Sequence, residues 1–218
     1  MEVKISKEAE ERKDRSEAIL SKFGVPINKH LPYIEDSNEA LIRTTSEVAT
    51  RALALLVVAV KAEGLEQEIV NNVIKSYDLS KAFTPKELEF INNPEPTPFD
   101  KTQFIWRYEA AWVLLWALGY VPELTHPNSI CDVPAAVTFM QQRSKSEFIN
   151  DSQLRSIQEI LDENDLIYRY HWAVVDARVN NLQIPEDIDS SVVMERHYAL
   201  NWLMGYMEQE WDDISTDT

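Results

Sequence analysis

Apolar positions along this chain recur at spacings of three and four, and nearly every such stretch is bracketed by helix punctuation. Residues 6–23 form a charged amphipathic segment closed by Gly24 and Pro26, the order in which helices commonly end. A linker-like stretch with Pro32 follows. Thr44 with Glu47 three residues later is a capping box, and it predicts a helix that runs to Gly64. Within that helix residues 52–60 are apolar on every face, which predicts a central position. A shorter helix is predicted over 65–76. Thr84-Pro85-Lys86-Glu87 is a second capping box with proline at the first helical position. The Pro-rich stretch 93–98 reads as non-helical and as the best internal hinge. Asp100 opens a helix to Gly119, Asp132 caps one to about Arg143, and Ser152 opens a long one to about Asn180. Asp189 or Ser190 caps the last, to about Met207, and a tail over 208–218 follows.

No stretch alternates apolar and polar residues long enough to require a strand, and no repeat of solenoid period is present. The expectation is an all-α, single-domain bundle of about eight helices, with residues 6–23 the element most loosely attached. A chain of 218 residues, 44% hydrophobic, buries a core of its own without disulfides or metals.

Charge adds a further constraint. The net charge is −16, and residues 147–218 alone carry 4 basic against 16 acidic residues, a balance of −12. Such a surface repels phosphate backbones and anionic lipids, so nucleic acid and membranes are not expected partners. It reads either as a solvated acidic face or as a docking surface for a basic protein partner. The apolar runs are too short to span a bilayer. The opening Met1-Glu2-Val3-Lys4 leads into no apolar run, so no signal peptide is expected. The single cysteine, Cys131, agrees with a reducing compartment, and a cytoplasmic location is the expectation.

Motif chemistry is mostly excluded. The four glycines, Gly24, Gly64, Gly119 and Gly205, lie far apart. A phosphate-cradling loop, a dinucleotide fingerprint and a nucleophile elbow each need glycines within a few residues of one another. One cysteine rules out cysteine-based zinc sites within the chain. The only Glu-x-x-His match, Glu123 to His126, lies between Pro122 and Pro127 in a loop. Neither a metal nor a cofactor is expected.

What remains is a set of charged residues inside apolar helical runs. They are Arg107 and Glu109 on one helix, Arg169, His171, Asp176 and Arg178 on a second, and Glu195, Arg196, His197 and Asn201 on a third. Arg107 and Glu109 are two apart and face different ways, so if buried each needs a partner from another helix. Asp165 can reach Arg169 one turn away, while His197 and Asn201 share a face. One reading is a framework of inter-helix ion pairs. The functional reading is a polar pocket in which Glu109, His171, Glu195 or His197 does acid–base work. In it Arg107, Arg169, Asp176, Arg178, Arg196 and Asn201 would hold a ligand. Trp106, Trp112 and Trp116, near the helical period, are expected in the core. The closing segment reads as a tail anchored by Trp211 and Ile214.

Several of these stretches resemble the domain of unknown function family DUF4272. They are Arg107-Tyr108-Glu109-Ala110-Ala111-Trp112 with its continuation to Gly119, His171-Trp172-Ala173-Val174-Val175-Asp176-Ala177-Arg178, and Glu195-Arg196-His197-Tyr198-Ala199-Leu200-Asn201-Trp202-Leu203. The helix start around Glu47 and Arg51, Trp211-Asp212-Asp213 and Thr216-Asp217-Thr218 belong with them. The resemblance runs from about Arg15 onward. It implies a compact helical cytoplasmic protein and supplies no activity, substrate or catalytic residue. Two functions follow as expectations. The first is a binding or regulatory module for a protein partner engaged through the acidic C-terminal third. The alternative is a hydrolase- or lyase-type enzyme acting on a small anionic substrate between the three polar helices. A self-associating structural protein is a third possibility.

Overall fold

A computed structural model describes residues 5–185 and 187–218. The first four residues, read above for a signal sequence, lie outside that range. The described residues form ten α-helices and contain no strand. The helices are α1 (Lys7–Lys22), α2 (Thr45–Glu63), α3 (Gln67–Ser76), α4 (Pro85–Asn92) and α5 (Pro98–Ile105). They continue with α6 (Arg107–Ala117), α7 (Val133–Gln141), α8 (Lys145–Asn150), α9 (Ile157–Val179) and α10 (Ser190–Leu203). Two short 3₁₀ turns, Tyr206–Glu208 and Trp211–Asp213, lie in the tail.

Local chemistry sets most of the boundaries. Capping boxes at Thr44, Thr84, Thr97, Ser144 and Ser156 satisfy backbone donors at five helix starts. Three depart from the sequence reading. Pro98 does not break a helix but opens α5 as its first residue, because the first turn has no partner for a proline N–H to lose. Ser144 with Glu147 opens the unanticipated α8. The long helix then starts four residues later than expected, capped by Ser156 instead of Ser152. At the other end α10 stops at Leu203, because Gly205 takes a left-handed conformation (φ 62°) that ends the helix.

Helix α2 is central. Every residue from Ala52 to Ala59 is fully buried, at about 25 cal/mol for each Å² of apolar surface removed from water. α6 packs on α2, α10 on α6, α9 on α10 and α1 on α9, so the polar residues of α6, α9 and α10 meet at successive interfaces. Trp116 is buried, while Trp106 and Trp112 are partly buried.

The irregular stretch between α1 and α2 is held by buried cations. Lys13 donates to the carbonyls of Lys29 and Leu31 at 2.6 and 2.9 Å, Arg12 to that of Glu35 at 3.0 Å, and Arg169 to that of Pro32 at 3.4 Å. A segment without helix or sheet still needs partners for its backbone, and these side chains supply them. Burial pulls the Lys13 ammonium below the ordinary lysine range. The tail is pinned at its middle. Trp211 and Ile214 are buried, with the guanidinium of Arg51 4.9 Å from the Trp211 ring centre and that of Arg107 at 5.9 Å.

Candidate functional site

The polar residues of α6 and α10 form a crossed pair of ion bridges. Arg107 donates to both carboxylate oxygens of Glu195, at 3.2 and 2.9 Å. Arg196 donates through Nε to Glu109 at 2.8 Å. Two residues that cannot satisfy each other along α6 are thus each satisfied from α10. Glu109 also accepts the backbone N–H of Cys131 at 2.7 Å, and Arg196 reaches the carbonyl of Thr125 at 2.5 Å. Burial, ahead of the opposing pull of Arg107, raises the Glu195 carboxyl. On α9, Arg169 grips both oxygens of Asp165, at 2.8 and 2.7 Å. A fourth buried pair, Arg51 with Glu87 at 2.5 Å, joins α2 to α4. Each arginine of the seam is therefore engaged by a carboxylate, and the seam behaves as a framework. Cys131 is no better a nucleophile, because burial pushes its thiol well above the usual range.

Two of the expected residues lie apart from this framework. Asp176 accepts from Asn180 near the exposed end of α9, and Arg178 is exposed.

His171 and His197 do meet. Their Nδ1 atoms are 2.8 Å apart across the α9–α10 interface. Burial pulls His171 down to about 4 and His197 to about 3, with Arg178 and His171 respectively adding repulsion. Both rings are neutral at pH 7, so one Nδ1 carries the shared hydrogen and the other accepts it.

His197 and Asn201 also form part of the floor of a cleft of about 620 Å³. Its walls are the start of α1, residues 32–39, α9, α10 and the end of the tail. Asn201 donates to the carbonyl of Ser215 at 2.9 Å and accepts from Asn164 at 3.1 Å. This leaves Asn164 Oδ1, His197 Nε2 and the Tyr168 hydroxyl on the floor with no hydrogen-bond partner among the described residues. The carboxylates of Glu35, Asp36, Glu39 and Asp217 stand along the walls, and none is in an ion pair among the described residues. Asp36 accepts from the Ser6 hydroxyl. No lysine or arginine of the described residues lines the cleft. Tyr33, Tyr168 and Tyr206 supply aromatic surface.

The domain of unknown function family DUF4272 matches the chain over residues 12–214. The chain belongs to this family. No curated protein and no solved structure matches it. The family match takes in α9, α10 and residues 32–39, and so most of the cleft.

Sequence reading found His197 and Asn201 but passed over the rest of the cleft. Glu35, Asp36 and Glu39 sit in the linker-like stretch, outside the third of the chain where acidic residues are in excess. Tyr168 and Asn164 lie on α9 one turn apart, and only that shared spacing marked them.

Proposed function

We propose that the protein is a binding module, and that the cleft over α9 and α10 receives a lysine or arginine side chain of a basic partner protein. The observation that carries this reading is the cleft's charge: four carboxylates with no ion pair among the described residues surround a floor of polar atoms that have no hydrogen-bond partner among them either. A guanidinium or ammonium is the group such a lining would hold, through charge-assisted hydrogen bonds to the carboxylates. The tyrosine rings add faces against which a cation packs. The surplus of negative charge in residues 147–218 would draw a basic surface toward the cleft and raise the encounter rate. A cytoplasmic setting belongs to this proposal, and the lone, buried Cys131 agrees with it.

The enzyme reading has less behind it. An anionic substrate needs a cation to hold it, and Arg107, Arg169 and Arg196 are each bound to a carboxylate.

The test is a titration of the full chain with a capped Gly-Arg-Gly peptide and with its neutral citrulline counterpart, followed through the NMR side-chain amide signals of Asn164 and Asn201. Saturable shifts for the arginine peptide are expected, at least tenfold weaker for citrulline and abolished in the triple variant Glu35→Gln, Glu39→Gln, Asp217→Asn. Equal responses to both peptides, or none to either, would defeat the proposal.

A further inference from the structure

A second cavity, of about 360 Å³, opens on the other side of α9. The end of α1, residues 123–127, α9 and α10 form it. Its walls are mostly apolar, with Ile19, Phe23, Leu124, Leu166, Ile167 and Leu200. Of the polar residues among them, two carry the inference, and neither belongs to the framework described above.

The first is Glu163. It lines this cavity and has no hydrogen bond or ion pair among the described residues, although it lies next to Asp162, whose carboxylate binds both Arg12 and Arg15. Arg196 also lines the cavity, but its bonds go to Glu109 and the Thr125 carbonyl. The second feature is His126. Its ring stacks on Phe23 with centroids 4.0 Å apart, and its Nδ1 lies 3.1 Å from the Tyr170 hydroxyl. Its Nε2 is buried with no hydrogen-bond partner among the described residues. With the hydrogen on Nδ1, toward Tyr170, Nε2 is a bare acceptor. In that tautomer, and among the described residues, the cavity holds a carboxylate with no ion pair and a nitrogen with no donor, inside mostly apolar walls. One chemical group answers both, because an ammonium brings positive charge and three N–H donors.

We propose that this cavity is a binding site for a small organic ammonium with an apolar tail. The charged end would lie between Glu163 and His126, and the tail against Phe23, Leu124, Leu166 and Leu200. This inference is independent of the reading of the larger cleft. Two acceptors and an apolar remainder, in a volume fit for a small molecule, are the usual composition of such sites.

The site also carries a pH signature. Burial raises the Glu163 carboxyl to about 7, with Asp162 raising it further and Arg196 and Arg155 opposing. Tyr170 stays neutral, raised to about 12, first by burial. Of the other titratable groups at the cavity, Glu123 lies on its exposed rim and His126 within it. An ammonium ligand needs Glu163 ionised, so affinity should fall as pH drops through 7, approaching about tenfold per unit.

The experiment is calorimetric titration of the full chain at pH 8 with 3-methylbutylamine, the neutral 3-methylbutan-1-ol and the anion 4-methylpentanoate. Saturable binding of the amine is expected, with the alcohol at least tenfold weaker and the carboxylate silent. Glu163→Gln should bring the amine down to the level of the alcohol. That change removes a partly buried carboxylate with no ion pair among the described residues, so the variant should fold. The variant Glu39→Gln, Asp217→Asn, altered in the larger cleft, should bind the amine as the native chain does. Three results would overturn the proposal: amine binding unchanged in Glu163→Gln, binding lost only in the larger-cleft variant, or alcohol bound as tightly as amine. Absence of any saturable binding at millimolar amine would do so as well.

Discussion

The Nδ1 atoms of His171 and His197 lie 2.8 Å apart, and neither ring faces a carboxylate within ion-pairing distance among the described residues. The two imidazoles therefore satisfy each other only while at least one is neutral. A proton added to each would place two like charges in contact inside the α9–α10 interface.

This pair contributes an acid-sensitive part of the stability profile. The unfolded chain takes up protons on both rings near the ordinary value of 6.5, while the folded chain resists until about 4 at His171 and about 3 at His197. Between those limits the unfolded state binds more protons, so folding stability falls as pH falls. The slope approaches roughly 1.4 kcal/mol per pH unit for each histidine. Urea denaturation at pH 8, 6 and 5 should show the loss. NMR imidazole signals of both rings should stay at their neutral positions down to pH 5, and titration of either near 6.5 would contradict this account.

The crossed bridges predict an asymmetry between their two arginines. Arg196→Met leaves the carboxylate of Glu109, 1% exposed, buried without its cation, and should cost about 3–5 kcal/mol. Adding Glu109→Gln removes the stranded charge and should return much of that loss, since glutamine still accepts the Cys131 N–H. The Arg107 side chain is 21% exposed, so water reaches its place beside Glu195 and Arg107→Met should cost less. A double-mutant cycle by urea denaturation at pH 7 checks all three. Equal costs for the two arginines would mean that burial does not set them.

Which features could be read from the chain follows from the range of the forces involved. Thr44, Thr84 and the apolar run of α2 speak through neighbours three or four residues away, so their helices were legible. Pro98 and Ser144 speak equally locally, but the first reads as a breaker until its place at the start of a turn is known. The α6–α10 bridges were half legible. That Arg107 and Glu109 needed outside partners follows from spacing, whereas the identity of Glu195 and Arg196 depends on how two helices cross. Glu35 and Glu39 carried no signal. Their irregular segment takes its shape from Arg12, Lys13 and Arg169, which are distant in sequence or on another helix.

Glu163 acts on stability with the opposite sign to the histidines. Its carboxyl is raised to about 7, so the folded chain holds a proton there that the unfolded chain has lost. Stability on this account falls as pH rises from about 4.5 to 7 and is level beyond. Glu163→Gln should therefore raise stability by about 1–2 kcal/mol at pH 8, a value discounted for the group's partial exposure, and change little at pH 4.5. Thermal denaturation at the two pH values decides it, and a variant less stable at pH 8 would show that Glu163 has a partner after all.

The larger cleft is walled by residues 5–9 and 32–39 from the beginning of the chain and by residues 204–218 from its end, with α9 and α10 beneath. Contacts of such long sequence separation close at a high entropic cost and are poor candidates for an early nucleus. A ligand seated there would bind only molecules in which residues 5–9 and the tail after α10 have both docked, and would slow the opening of either segment. Protection of the amides of those two segments from hydrogen exchange would then report occupancy, without any assay of what the occupant does.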